Sequence, residues 1–189
     1  YVYQGEEIGM VNADFPSIEY YNEKYTVGKY YTMVEAGEDP KKTLDSLKMM
    51  SRDNVRTPMQ WDESENAGFS KGKPWLTVNP AYKEINVERD KKNHDSIYYT
   101  YKRLIAMRKQ HPVMVYGTYT PVMEDVENLV AYIRKDETET WFMLFNFQNT
   151  CQEYILPDYL RNGVKELLMG NYRESDEKIL KPYEGRIYA

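Results

Sequence analysis

Cysteine and histidine are almost absent from this 189-residue sequence, which contains one cysteine and two histidines. Because Cys151 has no second cysteine to pair with, no internal disulfide bond can form, and a reducing, cytoplasmic environment is favoured. His94 and His111 are both far from Cys151 in the sequence, which disfavours a catalytic thiol. Too few ligands remain for a zinc site, and no phosphate-binding glycine loop is present. We therefore predict neither a metal nor a cofactor.

An excess of positive charge and long apolar runs are also missing. The sequence has 25 Lys and Arg against 30 Asp and Glu, a net charge of −5. This acidity argues against nucleic acid or an anionic membrane as a partner. No stretch approaches the ~20 apolar residues that span a bilayer. The first residues, YVYQGEEIGM, have the pattern of a strand rather than of a signal segment and indicate a piece of a longer protein.

Tyrosine, in contrast, is abundant, with 19 residues in the chain. A tyrosine ring offers a flat apolar face with a hydroxyl at its edge, which suits sugar-stacking sites and interfaces. Half-buried packing against a core is the simpler interpretation. Composition alone leaves both open.

The first part of the chain is predicted to be helical and rich in loops. Residues 1–3 form a β-prone run, and residues 11–38 form a polar connection with weak periodicity. Asp39 followed by Pro40 predicts the start of a helix over about 40–51. Residues 53–87 carry several proline and glycine residues and are predicted to be a loop, whose unusual length favours a functional role.

A second helix is predicted at 96–110, where apolar residues recur at helical spacing and Pro112 follows. Beyond it the pattern changes to short strands, which predicts an antiparallel β-sandwich over 112–189 after a first domain at 1–111. Strand 140–147 is apolar on both faces, with Trp141, Met143 and Phe145 alternating against Phe142, Leu144 and Phe147, so it should be central. The predicted strands are 113–120, 128–134, 140–147, 152–156, 164–169 and 185–189, with turns at Lys135-Asp136, Pro157-Asp158 and Asn162-Gly163.

Two clusters of charged residues are candidates for a site. Glu6 and Glu7 follow the first β-prone run, and strand ends are the favoured site positions in a barrel of alternating strands and helices. The segment 51–62 reads SRDNVRTPMQWD and places Arg52 four residues before Arg56. Two guanidinium groups this close need a carboxylate, a phosphate or sugar hydroxyls between them. Arginines that pair with local acids and hold the loop are an equally plain alternative.

The motifs YQGEEIGM, SRDNVRTPMQWD, ENAGF, PW, VNP and YKEINV together resemble α-glucosidases of the α-amylase-type glycoside hydrolase family, family 13. The resemblance is strongest to its oligo-1,6-glucosidase, dextran glucosidase and trehalose-6-phosphate hydrolase group. It runs essentially end to end, from Tyr1 to LKPYEGRIYA. It implies an α+β fragment with the last strand and helices of a (β/α)8 barrel, followed by the β-sandwich.

The resemblance also implies where the chemistry lies. Family members use three carboxylates at the ends of barrel strands four, five and seven for retaining hydrolysis. No residue of this chain matches those positions, so the chain should contain no catalytic residue and should need the missing N-terminal barrel residues. An oligosaccharide is the implied substrate of the full-length enzyme. The wider family also leaves open a sugar-binding or structural module and a catalytically dead relative.

Individual roles follow from the same resemblance. Arg56 is expected to contact the substrate sugar, and Glu6 to face the pocket floor or pair with an arginine. Arg52 and Asp53 are expected to brace the loop. Trp61 is expected to anchor the loop rather than to serve as a sugar platform. The chain departs from the usual SIEDYRDVE by reading SIEYYNEKY at 17–25, where Asn22 and Tyr25 replace an arginine and a glutamate.

Overall fold

The computed structural model describes residues 1–158, 160 and 166–189. These residues form two compact units, Tyr1–Leu104 and Ile105–Ala189. The domains predicted from the sequence, 1–111 and 112–189, refer to the full-length protein and stay a prediction. Within the described residues, no helix has the length and apolar character needed to cross a bilayer. The same residues contain no cluster of three or more histidine, cysteine or acidic side chains suited to a metal ion.

Helices α1 (Lys24–Glu35) and α2 (Pro40–Lys48) pack against each other in the first unit. The predicted start of α2 is confirmed, because the Asp39 side chain accepts a hydrogen bond from the Lys42 backbone N–H at 2.9 Å. The helix ends at Lys48 rather than at residue 51.

One sequence-based assignment in this unit is wrong. Helix α1 lies inside the polar connection predicted at 11–38. Its apolar spacing is weak because Thr26 is the one residue of this fully described helix that is buried. Residues 1–3, which have the pattern of a strand, pair with no strand among the described residues, so their assignment as a strand stays a prediction.

The core of the first unit lies between α2 and the segment that precedes α1. Its buried side chains include Phe15 and Tyr21, whose rings meet edge to face with centroids 5.4 Å apart. Val27 and Tyr30 of α1 pack against it half-buried. The buried members are Ala13, Phe15, Ile18, Tyr21 and Leu44.

Residues 53–86 form the long loop that the proline and glycine content predicts, interrupted by short 3-10 turns. Helix α3 (Val87–Lys92) follows, with the Asn86 side chain accepting from the Arg89 N–H at 2.9 Å. The predicted second helix is confirmed as α4 (Ile97–Gln110). Although every residue of α4 is described, none is buried.

A five-stranded antiparallel sheet forms most of the second unit. Its strands are β1 (Thr118–Val122), β2 (Leu129–Lys135), β3 (Thr140–Asn146), β5 (Leu167–Gly170) and β7 (Gly185–Tyr188). Their order in the sheet is β1-β2-β3-β7-β5. Strand β3 is at its centre, as predicted, and its residues Trp141 to Leu144 are no more than 1% exposed. The prediction that Phe147 belongs to this strand and to one of its apolar faces is wrong. Phe147 follows the end of β3 and is 64% exposed.

A second, two-stranded sheet pairs β4 (Gln152–Glu153) with β6 (Ile179–Leu180). One buried cluster contains side chains from both sheets, among them Leu144 of β3 and Leu180 of β6. The sequence missed β6, because two residues are too few to produce an alternating pattern. The strand predicted at 152–156 stops at residue 153. The turn predicted at Asn162-Gly163, and residues 164 and 165 of the predicted strand 164–169, lie outside the described residues.

The strand predicted at 113–120 is wrong in its first half. Val113–Tyr116 is a helical turn, α5, and strand β1 begins at Thr118. The cause is Pro112, which adopts a right-handed helical conformation. Its carbonyl then accepts hydrogen bonds from the N–H groups of Val115 and Tyr116 at 2.9 and 2.8 Å. This local hydrogen bonding outweighs the β-propensity of the valines.

Candidate functional site

The segment that contains both arginines begins as a 3-10 turn, Arg52–Val55. The Ser51 hydroxyl accepts the Asp53 N–H at 3.3 Å and caps the turn. The Asp53 carbonyl then accepts the N–H groups of Arg56 and Thr57 at 3.0 and 3.1 Å. These local hydrogen bonds fix the backbone conformation at Arg56, from which its side chain extends.

Asp53 is the buried centre of this segment, with only 1% of the residue exposed. Its Oδ2 accepts the backbone N–H groups of Asn22 and Glu23, at 2.6 and 2.8 Å, just before α1 begins. Its Oδ1 is also buried but has no hydrogen-bond partner within the described chain. The Arg56 Nη1 lies 3.7 Å from Oδ1, near enough for an ion pair but beyond hydrogen-bond range.

Arg52 and Arg56 do not share a carboxylate. Arg52 has its Nε 3.6 Å from Glu23 Oε1, and its backbone N–H donates to Glu23 Oε2 at 2.9 Å. The Thr26 hydroxyl donates to the same Oε2 at 2.6 Å. The Thr26 hydrogen bond, with the N–H and charge of Arg52, lowers the pKa of the Glu23 carboxyl despite partial burial. Each arginine therefore has its own acid, Glu23 for Arg52 and Asp53 for Arg56.

The two arginines differ in how much of each side chain is free. The Arg52 side chain is 75% exposed, whereas that of Arg56 is 43% exposed with one edge toward Asp53. A guanidinium presents five donors in a plane, so Arg56 retains donors for an acceptor-rich ligand such as a sugar. Sequence reasoning did not identify Glu23. Glu23 could have been recognised as a carboxylate directly before a helix, but residues 11–38 were predicted to be a connection without a helix.

Glu6 and Glu7 lie in a tight turn after residues 1–3. The Glu6 Oε2 accepts the Tyr3 N–H at 3.1 Å, and the Glu7 Oε2 accepts the Gly5 N–H at 2.7 Å. Glu6 is exposed and lines a cavity of about 120 Å³ together with residues of the 54–59 segment, including Asn54. The structure thus brings Glu6 to the arginine-containing segment, but Arg56 does not line that cavity.

Trp61 connects the loop through its main chain. Its N–H donates to the Ala67 carbonyl at 2.9 Å, and its own carbonyl accepts the Glu88 N–H at 3.0 Å. The residue itself is 50% exposed and borders a cavity of about 360 Å³ that Lys91 and Lys92 also line. Its backbone hydrogen bonds thus link residue 61 to residues 67 and 88, while half of its surface stays open.

The ENAGF stretch folds into an unusual turn that sequence reasoning did not foresee. Asn66, Ala67 and Gly68 all adopt left-handed backbone conformations, with φ of 54°, 58° and 65°. A Cβ at Gly68 would clash with the Asp62 carboxylate unless that side chain moved, which favours glycine there. The side-chain and backbone hydrogen bonds from Ser64 lower the pKa of the Asp62 carboxyl. Asp62 therefore stays ionised and tied to this turn.

Comparison with known proteins identifies the family. A model of the α-amylase catalytic domain matches residues 1–117. The chain belongs to the α-amylase family. It is 46% identical over its whole length to the oligo-1,6-glucosidase of Parageobacillus thermoglucosidasius, and 37% identical to the trehalose-6-phosphate hydrolase of Bacillus subtilis. The crystal structure of Bacillus licheniformis trehalose-6-phosphate hydrolase matches the whole chain with a TM-score of 0.93 at 38% identity.

The match covers only part of these relatives. The chain spans 34% of the length of the two curated enzymes and 35% of the crystallised one. The matched part lies at their C-terminal end.

Proposed function

We propose that this chain is the C-terminal part of an α-glucosidase that hydrolyses short α-glucans with 1,6 linkages. The observation that carries the proposal is the 46% identity, over the full chain, to an oligo-1,6-glucosidase. The buried Asp53 with the partly free Arg56 beside it adds a physical reason, since this pair suits an acceptor-rich sugar. No cofactor and no nucleic acid enter the proposal, and we place the enzyme in the cytoplasm.

We further propose that residues 1–111 complete a (β/α)8 barrel and that residues 112–189 form a β-sandwich. Residues 1–3 would be the eighth barrel strand and α4 the last barrel helix. Two features support this arrangement. Residues 1–3 have no described strand partner, and α4 has apolar residues at helical spacing yet, among its fully described residues, none that is buried. An unpaired strand segment and an unburied amphipathic helix are both expected when the elements that they pack against belong to the rest of the barrel.

The proposed chemistry is retaining hydrolysis. A carboxylate nucleophile and a carboxylic acid ~5–5.5 Å apart form and then hydrolyse a glycosyl-enzyme. Both groups would belong to the missing barrel strands, so this chain would supply no catalytic residue. Its contribution would be Arg56 as a donor to the sugar, Glu6 at the pocket floor, and the loop that Arg52, Asp53 and Trp61 hold in place.

Trehalose 6-phosphate is the second candidate substrate. The trehalose-6-phosphate hydrolase structure with a TM-score of 0.93 favours it. The two candidates differ in the linkage and in the phosphate, so a direct comparison of substrates separates them.

The test compares the full-length protein that contains this chain with the chain alone. We expect the full-length protein to hydrolyse isomaltose and p-nitrophenyl α-glucoside faster than trehalose 6-phosphate, and to release α-glucose first in a proton NMR time course. The chain alone should show no turnover above the buffer blank. A full-length protein that binds isomaltose without cleaving any of the three substrates would instead favour a sugar-binding module or a catalytically dead relative.

A further inference from the structure

The two oxygens of Asp53 face different parts of the fold. Oδ2 is saturated by the two N–H groups that precede α1, at 2.6 and 2.8 Å, and this fixes the carboxylate plane. Oδ1 is left buried, with no hydrogen bond within the described residues and with Arg56 Nη1 at 3.7 Å. A buried carboxylate oxygen without a donor is costly, and Arg56 is the cation that the structure places beside it.

This arrangement constrains the arginine as well. The Arg56 backbone is fixed by its N–H bond to the Asp53 carbonyl at 3.0 Å, and its guanidinium lies within ion-pair range of the carboxylate of the same residue. An arginine side chain populates many rotamers, and restricting it to one of them on binding costs conformational entropy and so reduces affinity. A fixed carboxylate at one edge selects a subset of these rotamers before any ligand arrives.

We propose that Asp53 is a positioning residue, which orients the Arg56 guanidinium for the sugar and couples that orientation to the start of α1. The inference rests on the proposed function, because it assigns a role within the same sugar site. It goes beyond bracing of the loop, since it states that the charge of Asp53 acts on substrate binding through Arg56. Arg52 is not part of this arrangement, because the carboxylate beside it is that of Glu23 and not that of Asp53.

The decisive variant is Asp53→Asn in the full-length enzyme. The amide oxygen can still accept the N–H groups of Asn22 and Glu23. The amide NH₂ then takes the place of Oδ1 and faces Nη1, so a donor meets a donor. We therefore expect the local fold to be retained while the attraction on Arg56 is removed. We expect kcat/KM for isomaltose to fall by about tenfold. The matched control is Glu23→Gln, which removes the neighbouring charge from Arg52 and should leave kcat/KM within about twofold.

A double-mutant cycle separates positioning from a structural role. If Asp53 acts through Arg56, adding Asp53→Asn to Arg56→Ala should cause no further loss of kcat/KM. A purely structural role predicts that Asp53→Asn lowers kcat/KM by the same factor with and without Arg56, and that result would overturn the proposal. Melting temperatures of all variants are measured beside the kinetics.

A second readout does not depend on activity. Crystal structures of the wild type and Asp53→Asn should show the Arg56 guanidinium displaced or disordered in the variant. An unchanged guanidinium would overturn the positioning role even if the enzyme is active. A wild type that cleaves no α-glucoside would refute the proposed function, and the two structures would still decide the positioning.

If Asp53→Asn does not fold, side-chain ¹⁵N relaxation of the wild type replaces it. The Arg56 Nε–H should be more restricted than that of Arg52, whose side chain is 75% exposed. Equal or greater mobility at Arg56 would contradict the proposal.

Discussion

Glu184 and Arg186 form an ion pair that is closed off from solvent, with Arg186 Nε 2.8 Å from Glu184 Oε1 and both side chains at most 1% exposed. The Arg186 guanidinium also donates to the Tyr154 hydroxyl at 2.9 Å and to the Ile179 carbonyl at 2.8 Å. The Glu184 Oε2 accepts the Lys181 N–H at 2.7 Å. The pair therefore ties β7 to β6, and so joins the two sheets of the second unit.

Removing the charge of Glu184 should destabilise the protein strongly. Glu184→Gln leaves a buried guanidinium without its counter-charge, and breaking a buried pair from one side costs about 3–5 kcal/mol. The control is Glu84→Gln, whose carboxylate pairs with Arg89 at 3.2 Å on the surface and should cost less than about 1 kcal/mol. Urea unfolding of both variants measures the difference. Equal losses would mean that the buried pair has no special role.

The same pair predicts a dependence of stability on pH. Burial acts to raise the pKa of the Glu184 carboxyl, but hydrogen bonds from Arg186 and Lys181 outweigh it, so the folded-state pKa lies below the ordinary value of 4.5. A carboxyl with a lowered folded pKa stabilises the fold above its unfolded pKa, and that contribution is lost as pH falls through the folded pKa. We expect the stability gap between wild type and Glu184→Gln to narrow below about pH 4.5. Melting temperatures between pH 7 and pH 3 test this, and a constant gap would contradict it.

Substitution of glycine by alanine should have opposite effects in the turn at 66–68 and in helix α1. Gly68→Ala forces a Cβ into a left-handed residue and to within 2.4 Å of Asp62 Oδ2, so it should cost more than about 1 kcal/mol. Gly28 lies inside α1, and no described atom lies within 4 Å of the Cβ that alanine would add. Gly28→Ala should stabilise the protein by about 0.5–1 kcal/mol. Thermal unfolding gives both signs, and a neutral Gly68→Ala would mean that the turn adapts.

The sequence predicted those elements whose signal is local. The Asp39 cap of α2, helix α4 and the central strand β3 each rest on a cap or on a clear apolar period. Helix α1 was missed because most of its side chains are outside the core, which leaves no period to detect. Residues 113–116 were misassigned because the conformation of Pro112 outweighs the propensity of the valines.

The sequence named candidate site residues but could not give their pairings. The spacing of Arg52 and Arg56 indicates that each guanidinium needs an acceptor, and Asp53 was expected to brace the loop. The partner of Arg52, Glu23, is 29 residues away in sequence and could not be found from spacing. Asp53 Oδ2 is hydrogen-bonded and Oδ1 is not, and this difference depends on where α1 begins, which the sequence pattern does not reveal.

Arg56 gives the last prediction, for the full-length enzyme. If it donates two charge-assisted hydrogen bonds to the sugar, Arg56→Ala should remove about 2–4 kcal/mol of transition-state binding. That loss corresponds to roughly a thirty-fold to thousand-fold decrease in kcat/KM. Arg56→Lys should recover little, because one ammonium cannot span two hydroxyls and the Asp53 carboxylate. Arg52→Lys should be milder, since the Arg52 side chain is 75% exposed and is held by Glu23.

A loop-bracing role for both arginines predicts a different result from the same four proteins, namely wild type, Arg56→Ala, Arg56→Lys and Arg52→Lys. Both positions would then lower the melting temperature, while kcat/KM per folded molecule would stay near the wild-type value. If Arg56→Ala keeps kcat/KM within about threefold of wild type, the assignment of Arg56 to the sugar is wrong.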